Sequence, residues 1–414
     1  MTLTETVFWT KAASKFVGVF VVLIIVGYYA YLYVISITRT PDQVFRADFR
    51  CGELPKVEIE AQESTEFGNA SIQVVALGPS LPNDRVPLIT YVYKIDVKGE
   101  TFETRDLAYS LARDFNIRTD VQHAAGSTIY QWKDPAKRST LTVNTDTLHF
   151  SYIREDAVLP AVPNLQLPAT VFRAPEYAGN YLRALGLYTN DFAKGKSFAY
   201  PVTMVNGQPV LAKSLDVAQL IRVDFQKVNY SLVYDRAVLS PTFDAARGID
   251  FVGFIDLMKK KGEDNPAYIK FESRRVSRTP ETANVQIYIR SQGGHPSDGI
   301  QQLHYNNWKV EEVPCGTYPI IRPADAISKI SQGEGTIVYA IEKGGDPLQP
   351  RTSAPLKEIN LYNLELAYYE PNRIQPYLQP IYVASGEVVF ENGARGDIAL
   401  YVPAIDYDAR PTTR

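Results

Sequence analysis

The sequence predicts an α+β protein: one N-terminal transmembrane helix followed by repeated units, in each of which a helix covers an antiparallel sheet. Three observations lead to that class. A run of 22 residues near the N-terminus carries no charge. The composition, with 27 Tyr and 27 Pro beside 3 Met, has a strand-and-turn character. A short helical pattern followed by alternating segments occurs three times, as internal repetition would produce.

The uncharged run is Phe16 to Ile37, "FVGVFVVLIIVGYYAYLYVISI". As a helix it would be about 33 Å long, enough for the hydrocarbon core of a bilayer. It exceeds the usual apolar core of a cleaved signal peptide, and no small-x-small site follows it. Trp9, Tyr28, Tyr29, Tyr31 and Tyr33 suit the interfaces. Lys11 and Lys15 precede the span while Arg39, Arg46, Arg50 and Lys56 follow it, so counting basic residues does not decide its orientation. No second run approaches this length, which places everything from Thr38 onward on one side of the membrane.

After a tail (1–15) and the span (16–37), residues 38–63 read as a polar stalk with Pro41 and Pro55. A first unit follows over 64–156. Its helix, Glu103 to Ile117, carries Leu107, Leu111 and Phe115 on one face, with Thr104 and Asp106 placed to cap it. The segments 86–97, 127–134 and 139–153 alternate as half-buried strands. A proline-rich boundary, 157–168, leads to a second unit over 169–312, with a helix at Ala174 to Leu187. Asn206-Gly207 between alternating residues is the strongest hairpin signal in the chain. A further helix is predicted over Gly248 to Gly262, with Phe251, Phe254, Ile255 and Met258 on one face. The third unit, 313–406, opens on a helix from Pro323 stopped by Gly333, continues in strands, and leaves a tail at 407–414.

Chemistry is sparse. Net charge is −3, from 43 basic and 46 acidic residues, with no basic footprint, so nucleic acid is not an expected partner. The four histidines, His123, His149, His295 and His304, lack metal-ligand spacing. No nucleophile elbow, phosphate loop or dinucleotide fingerprint occurs. No cofactor, metal or catalytic residue is therefore expected. Cys51 and Cys315, the two cysteines, either bridge or remain free thiols; in an oxidising compartment a bridge would tie the stalk to the third unit.

Two stretches carry a resemblance. "YPIIRPADAISKISQGEG" (318–335) resembles the start of a PepSY-like unit. "LAYYEPNRIQPYLQPIYVASGEV" (366–388) with "LYVPAID" resembles the closing strands of membrane-anchored bacterial regulators of the YycH and YycI type. That resemblance implies an extracytoplasmic region that acts by protein contact in the cell envelope and has no catalytic motif to transfer. The expectation is a single-pass regulatory or interaction protein binding a partner protein or peptide; the alternatives are an envelope hydrolase with a carboxylate-based site and a structural component of a surface assembly. Within 366–388, Pro371 and Pro376 bracket a strand connection, Pro380 implies an edge or a bulge, and Tyr369, Tyr377 and Tyr382 are candidates for an exposed binding edge.

Overall fold

The computed structural model describes residues 28, 47–62, 67–74, 89–97, 99–155, 171–235, 256–258, 268–290, 296–348 and 354–409. The chain divides into Met1–Arg46 and Ala47–Arg414. Only Tyr28, helical and exposed, is described in the first. The architecture below is that of the second.

It is mostly β: 19 strands and four α-helices among the described residues. This corrects the expected α+β class with repeated helix-plus-sheet units. No helix among the described residues is long and apolar enough to cross a membrane. Residues 16–37 themselves, Tyr28 apart, lie outside the described residues.

Nine strands form one antiparallel sheet: β3 (Val121–His123), β4 (Ile129–Asp134), β5 (Ser139–Asn144), β6 (Phe150–Arg154), β14 (Ile300–Tyr305), β13 (Val285–Ile289), β9 (Leu220–Gln226), β7 (Lys196–Val205) and β8 (Gln208–Leu211), in that spatial order. Residues of the first two expected units meet in it, for Phe150 of β6 pairs with Tyr305 of β14. The alternation legible in the sequence puts Trp132, Leu141, Tyr152, Leu303, Ile287 and Val223 on one buried face. Two helices cover that face: α1 (Phe102–Asp114) through Ala108, Leu111 and Ala112, and α2 (Ala174–Ala184) through Ala178 and Leu182. Phe115, just past α1, stacks on Tyr152 at 4.2 Å. The single shared core is why the repeats do not stand apart. Neither helix can bury its stripe without strands from the other segment.

Local chemistry explains the ends of these elements. The α1 cap is Thr101, whose hydroxyl accepts from Thr104 N–H at 3.1 Å while Thr104 Oγ1 accepts from Thr101 N–H at 2.9 Å. Asp106, expected to cap, sits inside the helix and is exposed. Between β7 and β8, Val205 pairs with Gln208 around Asn206 (φ 52°) and Gly207 (φ 78°), the left-handed pair that a two-residue hairpin needs. A short α3 (Asn190–Ala193) buries Phe192 in the same core.

The second sheet has ten strands, ordered β10 (Tyr230–Asp235), β12 (Tyr268–Val276), β17 (Leu356–Tyr369), β18 (Tyr377–Phe390), β19 (Arg395–Pro403) and β16 (Thr336–Glu342). β1 (Ser71–Val74) pairs parallel with β17, β11 (Asp256–Met258) joins β12, and β2 (Ile89–Lys94) pairs with both β18 and β15 (Gly316–Pro319). The helix expected over 248–262 is strand β11 at 256–258; its other residues lie outside the described ones. Here pairing with β12 prevails over a short stripe that periodicity alone cannot assign. α4 (Pro323–Ser331) buries Ala326 and Ile330, and Ile330 lies beside Leu400 and Val402 around Gly335.

The chain passes from one sheet to the other between β2 and β3, at 227–229 between β9 and β10, between β12 and β13, and between β14 and β15. The opposite face of the ten-stranded sheet from α4 is crossed by residues 54–62, which have no regular secondary structure. Val57 and Ile59 of this strap pack on Val338, Ala367, Tyr369, Val383 and Tyr401. The segment 47–62, read from the sequence as part of a stalk, is thus laid onto the fold.

Candidate functional site

The strap borders a concavity of the ten-stranded-sheet half. Its backbone groups must find partners away from any ladder, and side chains supply them. Gln379 Nε2 donates to Pro55 O at 2.9 Å, and Val57 N–H donates to the Tyr407 hydroxyl at 3.1 Å. Gln375 holds Glu58 from both sides, donating to its carbonyl at 2.8 Å and accepting its N–H at 3.3 Å. The Gln62 amide brackets Ala340 in edge strand β16, donating to its carbonyl at 3.2 Å and accepting its N–H at 2.6 Å. The other end is covalently fixed, because Cys51 and Cys315 form a disulfide with 5.4 Å between Cα atoms.

These contacts overturn the tyrosine expectation. Tyr369 and Tyr382 are buried, each 1% exposed, and Tyr377 is half-buried. β18 is an interior strand with β17 on one side and β19, then β2, on the other, so no edge exists there to bind a partner. Pro380 falls between the β2 pairing at 377–378 and the β19 pairing at 381–389, where no ladder needs its missing donor. The three hydroxyls hold crossing segments of the same chain. Tyr369 accepts from Glu60 N–H at 3.5 Å, Tyr377 donates to Cys51 O at 3.0 Å and Tyr382 to Ile321 O at 2.7 Å.

Between the strap, α4 and the chain after β19 lies a groove of about 940 Å³. Leu54, Val57, Ile321, Val402 and Ile405 give it apolar walls, while Glu53, Lys56, Lys329, Glu334, Asp406 and Asp408 add charge of both signs. Tyr318 and Tyr407 also line it; burial pushes both phenols up to about 12, so they act as neutral hydrogen-bonding groups. No group of three or more potential metal ligands occurs among the described residues. Within the lining, Lys329 Nζ pairs with Glu334 Oε2 at 3.3 Å.

A second constellation, which motif and spacing searches did not reach, sits where the chain changes sheets. Lys227 Nζ donates to Glu370 Oε1 at 2.9 Å, to Glu370 Oε2 at 3.1 Å and to Trp308 O at 2.9 Å. Asn284 Nδ2 donates to the same Glu370 Oε2 at 2.5 Å. The Lys227 and Glu370 side chains are 0% and 1% exposed, so this ion pair is out of water. Arg275 approaches Glu370 at 3.8 Å, pairs with Asp191 at 2.7 Å and lies 4.0 Å over the Tyr230 ring. Two cations thus face two carboxylates. His149 packs edge-on to Trp308 at 4.3 Å, and burial, helped by the Lys227 charge, lowers its imidazole to about 4. His295 lies outside the described residues.

No family model matches the chain, and no curated protein matches it. Six solved chains match. One is an uncharacterized protein from Eubacterium rectale, 16% identical, with a TM-score of 0.33 over 80% of this chain and 88% of that one. A likeness at that score carries no argument about function.

Proposed function

We propose that the protein is an envelope-located interaction protein, in line with the regulatory role that the YycH and YycI resemblance implies, and that its groove receives an extended segment of a partner protein. The observation that carries this reading is the groove itself: about 940 Å³, lined by apolar residues together with charged groups of both signs. The strap beside it is an internal precedent, a segment without regular secondary structure held by Gln379 of β18, by Gln375 between β17 and β18, and by its own Gln62 side chain on Ala340 of β16. Location outside the cytoplasm is supported by the Cys51–Cys315 disulfide and by the uncharged run from Phe16 to Ile37.

The test is photo-crosslinking from positions lining the groove, with a reactive residue replacing Lys56 or Lys329, in membranes of cells expressing the full chain. A discrete adduct with another protein, lost on Val402→Arg while the disulfide remains intact, is the expected result. Adducts that form equally from sites remote from the groove, or none at all, would overturn the reading.

A further inference from the structure

Lys227 and Asn284 occupy neighbouring strand ends. β9 and β13 pair antiparallel, with Phe225 opposite Val285, so Lys227 follows one strand as Asn284 precedes the other. Their side chains converge on a single oxygen, Glu370 Oε2, at 3.1 and 2.5 Å. The Lys227 main-chain N–H donates to Asn284 Oδ1 at 3.4 Å. All three residues are buried, at 5%, 7% and 1% exposure for Lys227, Asn284 and Glu370. An amine, a carboxamide and a carboxyl group held together out of water are the components of an amide exchange.

We infer that Lys227, Asn284 and Glu370 form an autocatalytic modification site, at which Lys227 Nζ bonds to Asn284 Cγ and ammonia leaves. Glu370 takes a proton from the Lys227 ammonium, freeing the amine lone pair to attack Cγ. The carbonyl oxygen of Asn284, polarised by the Lys227 main-chain N–H, receives the charge of the tetrahedral intermediate. As the Cγ–Nδ2 bond breaks, Glu370 returns its proton to Nδ2 and the amine nitrogen gives up another, so the products are a secondary amide and ammonium. Charge and atoms balance with no oxidant, metal or cofactor. Burial pulls the Lys227 ammonium downward, which favours the free amine, although the Glu370 charge opposes it. Proximity supplies the remaining acceleration, since the groups are positioned by strands and need no encounter. The resulting cross-link would tie β9 to β13 where the chain leaves one sheet for the other.

The experiment is intact-mass and peptide mass spectrometry on the purified full chain, with the disulfide reduced. The expected result is a mass lower than the sequence requires by one ammonia, tryptic cleavage lost at Lys227, and a branched peptide joining Lys227 to Asn284. Glu370→Ala and Asn284→Ala are expected to restore the full mass. An unmodified mass for the folded wild-type chain overturns the proposal, whether or not the variants fold. So does an ammonia loss that maps to a cyclised Asn206-Gly207 or Asn392-Gly393 while Lys227 remains cleavable.

Discussion

Tyr382 and Tyr401 are both within 1% of complete burial, on neighbouring strands, yet their hydroxyls have opposite circumstances. Tyr382 donates to Ile321 O at 2.7 Å, whereas the Tyr401 hydroxyl has no hydrogen-bond partner among the described residues. Tyr382→Phe removes the hydroxyl that bonds the half-buried Ile321 carbonyl, which costs about 1–3 kcal/mol. Tyr401→Phe removes a buried group already stripped of water and unpaired, recovering part of a penalty of roughly 1–3 kcal/mol against a small void. Tyr382→Phe should therefore be the less stable variant, by about 2 kcal/mol. Urea titration of the oxidised protein reads this as a lower midpoint for Tyr382→Phe and an equal or higher one for Tyr401→Phe, at constant slope. Equal losses in both would refute the reasoning, because burial alone would then govern the tyrosines.

His149 holds its folded value near 4 against 6.5 for the free side chain, so below pH 6.5 the unfolded state binds the extra proton. Stability should fall as pH drops from 6.5 towards 4, by up to about 1.4 kcal/mol per pH unit, and His149→Gln should flatten that stretch of the profile measured by urea titration. The Cys51–Cys315 disulfide closes a loop of sequence separation 264, so Cys51→Ser with Cys315→Ser should cost about 2–5 kcal/mol. Trypsin should then cut at Lys56 faster than in the oxidised wild type; unchanged cleavage would show that the side-chain contacts alone hold the strap. A Cβ on Gly386 would stand 2.1 Å from Asn360 O on the neighbouring strand, so Gly386→Ala should lower the thermal midpoint, at a cost of about 1–3 kcal/mol. A midpoint equal to that of wild type would contradict that close approach.

What the sequence determined by itself was local. The Asn206-Gly207 turn, the apolar stripes of α1, α2 and α4, and the alternation of β4 to β6 and β17 to β19 follow from periods and backbone preferences confined to a few residues. Tertiary structure decided which strands share a sheet. Nothing within β9 and β10 says that a three-residue passage sends them into different sheets, because pairing partners are fixed by cores assembled from distant segments. The same holds for the tyrosines, whose alternation was legible but whose hydroxyl partners, Glu60, Cys51 and Ile321, lie elsewhere in the chain. Lys227, Asn284 and Glu370 are separated by 57 and 86 residues, so no motif spacing could reveal them. Only the crossing between two sheets brings an amine, a carboxamide and a carboxyl group to one dry point.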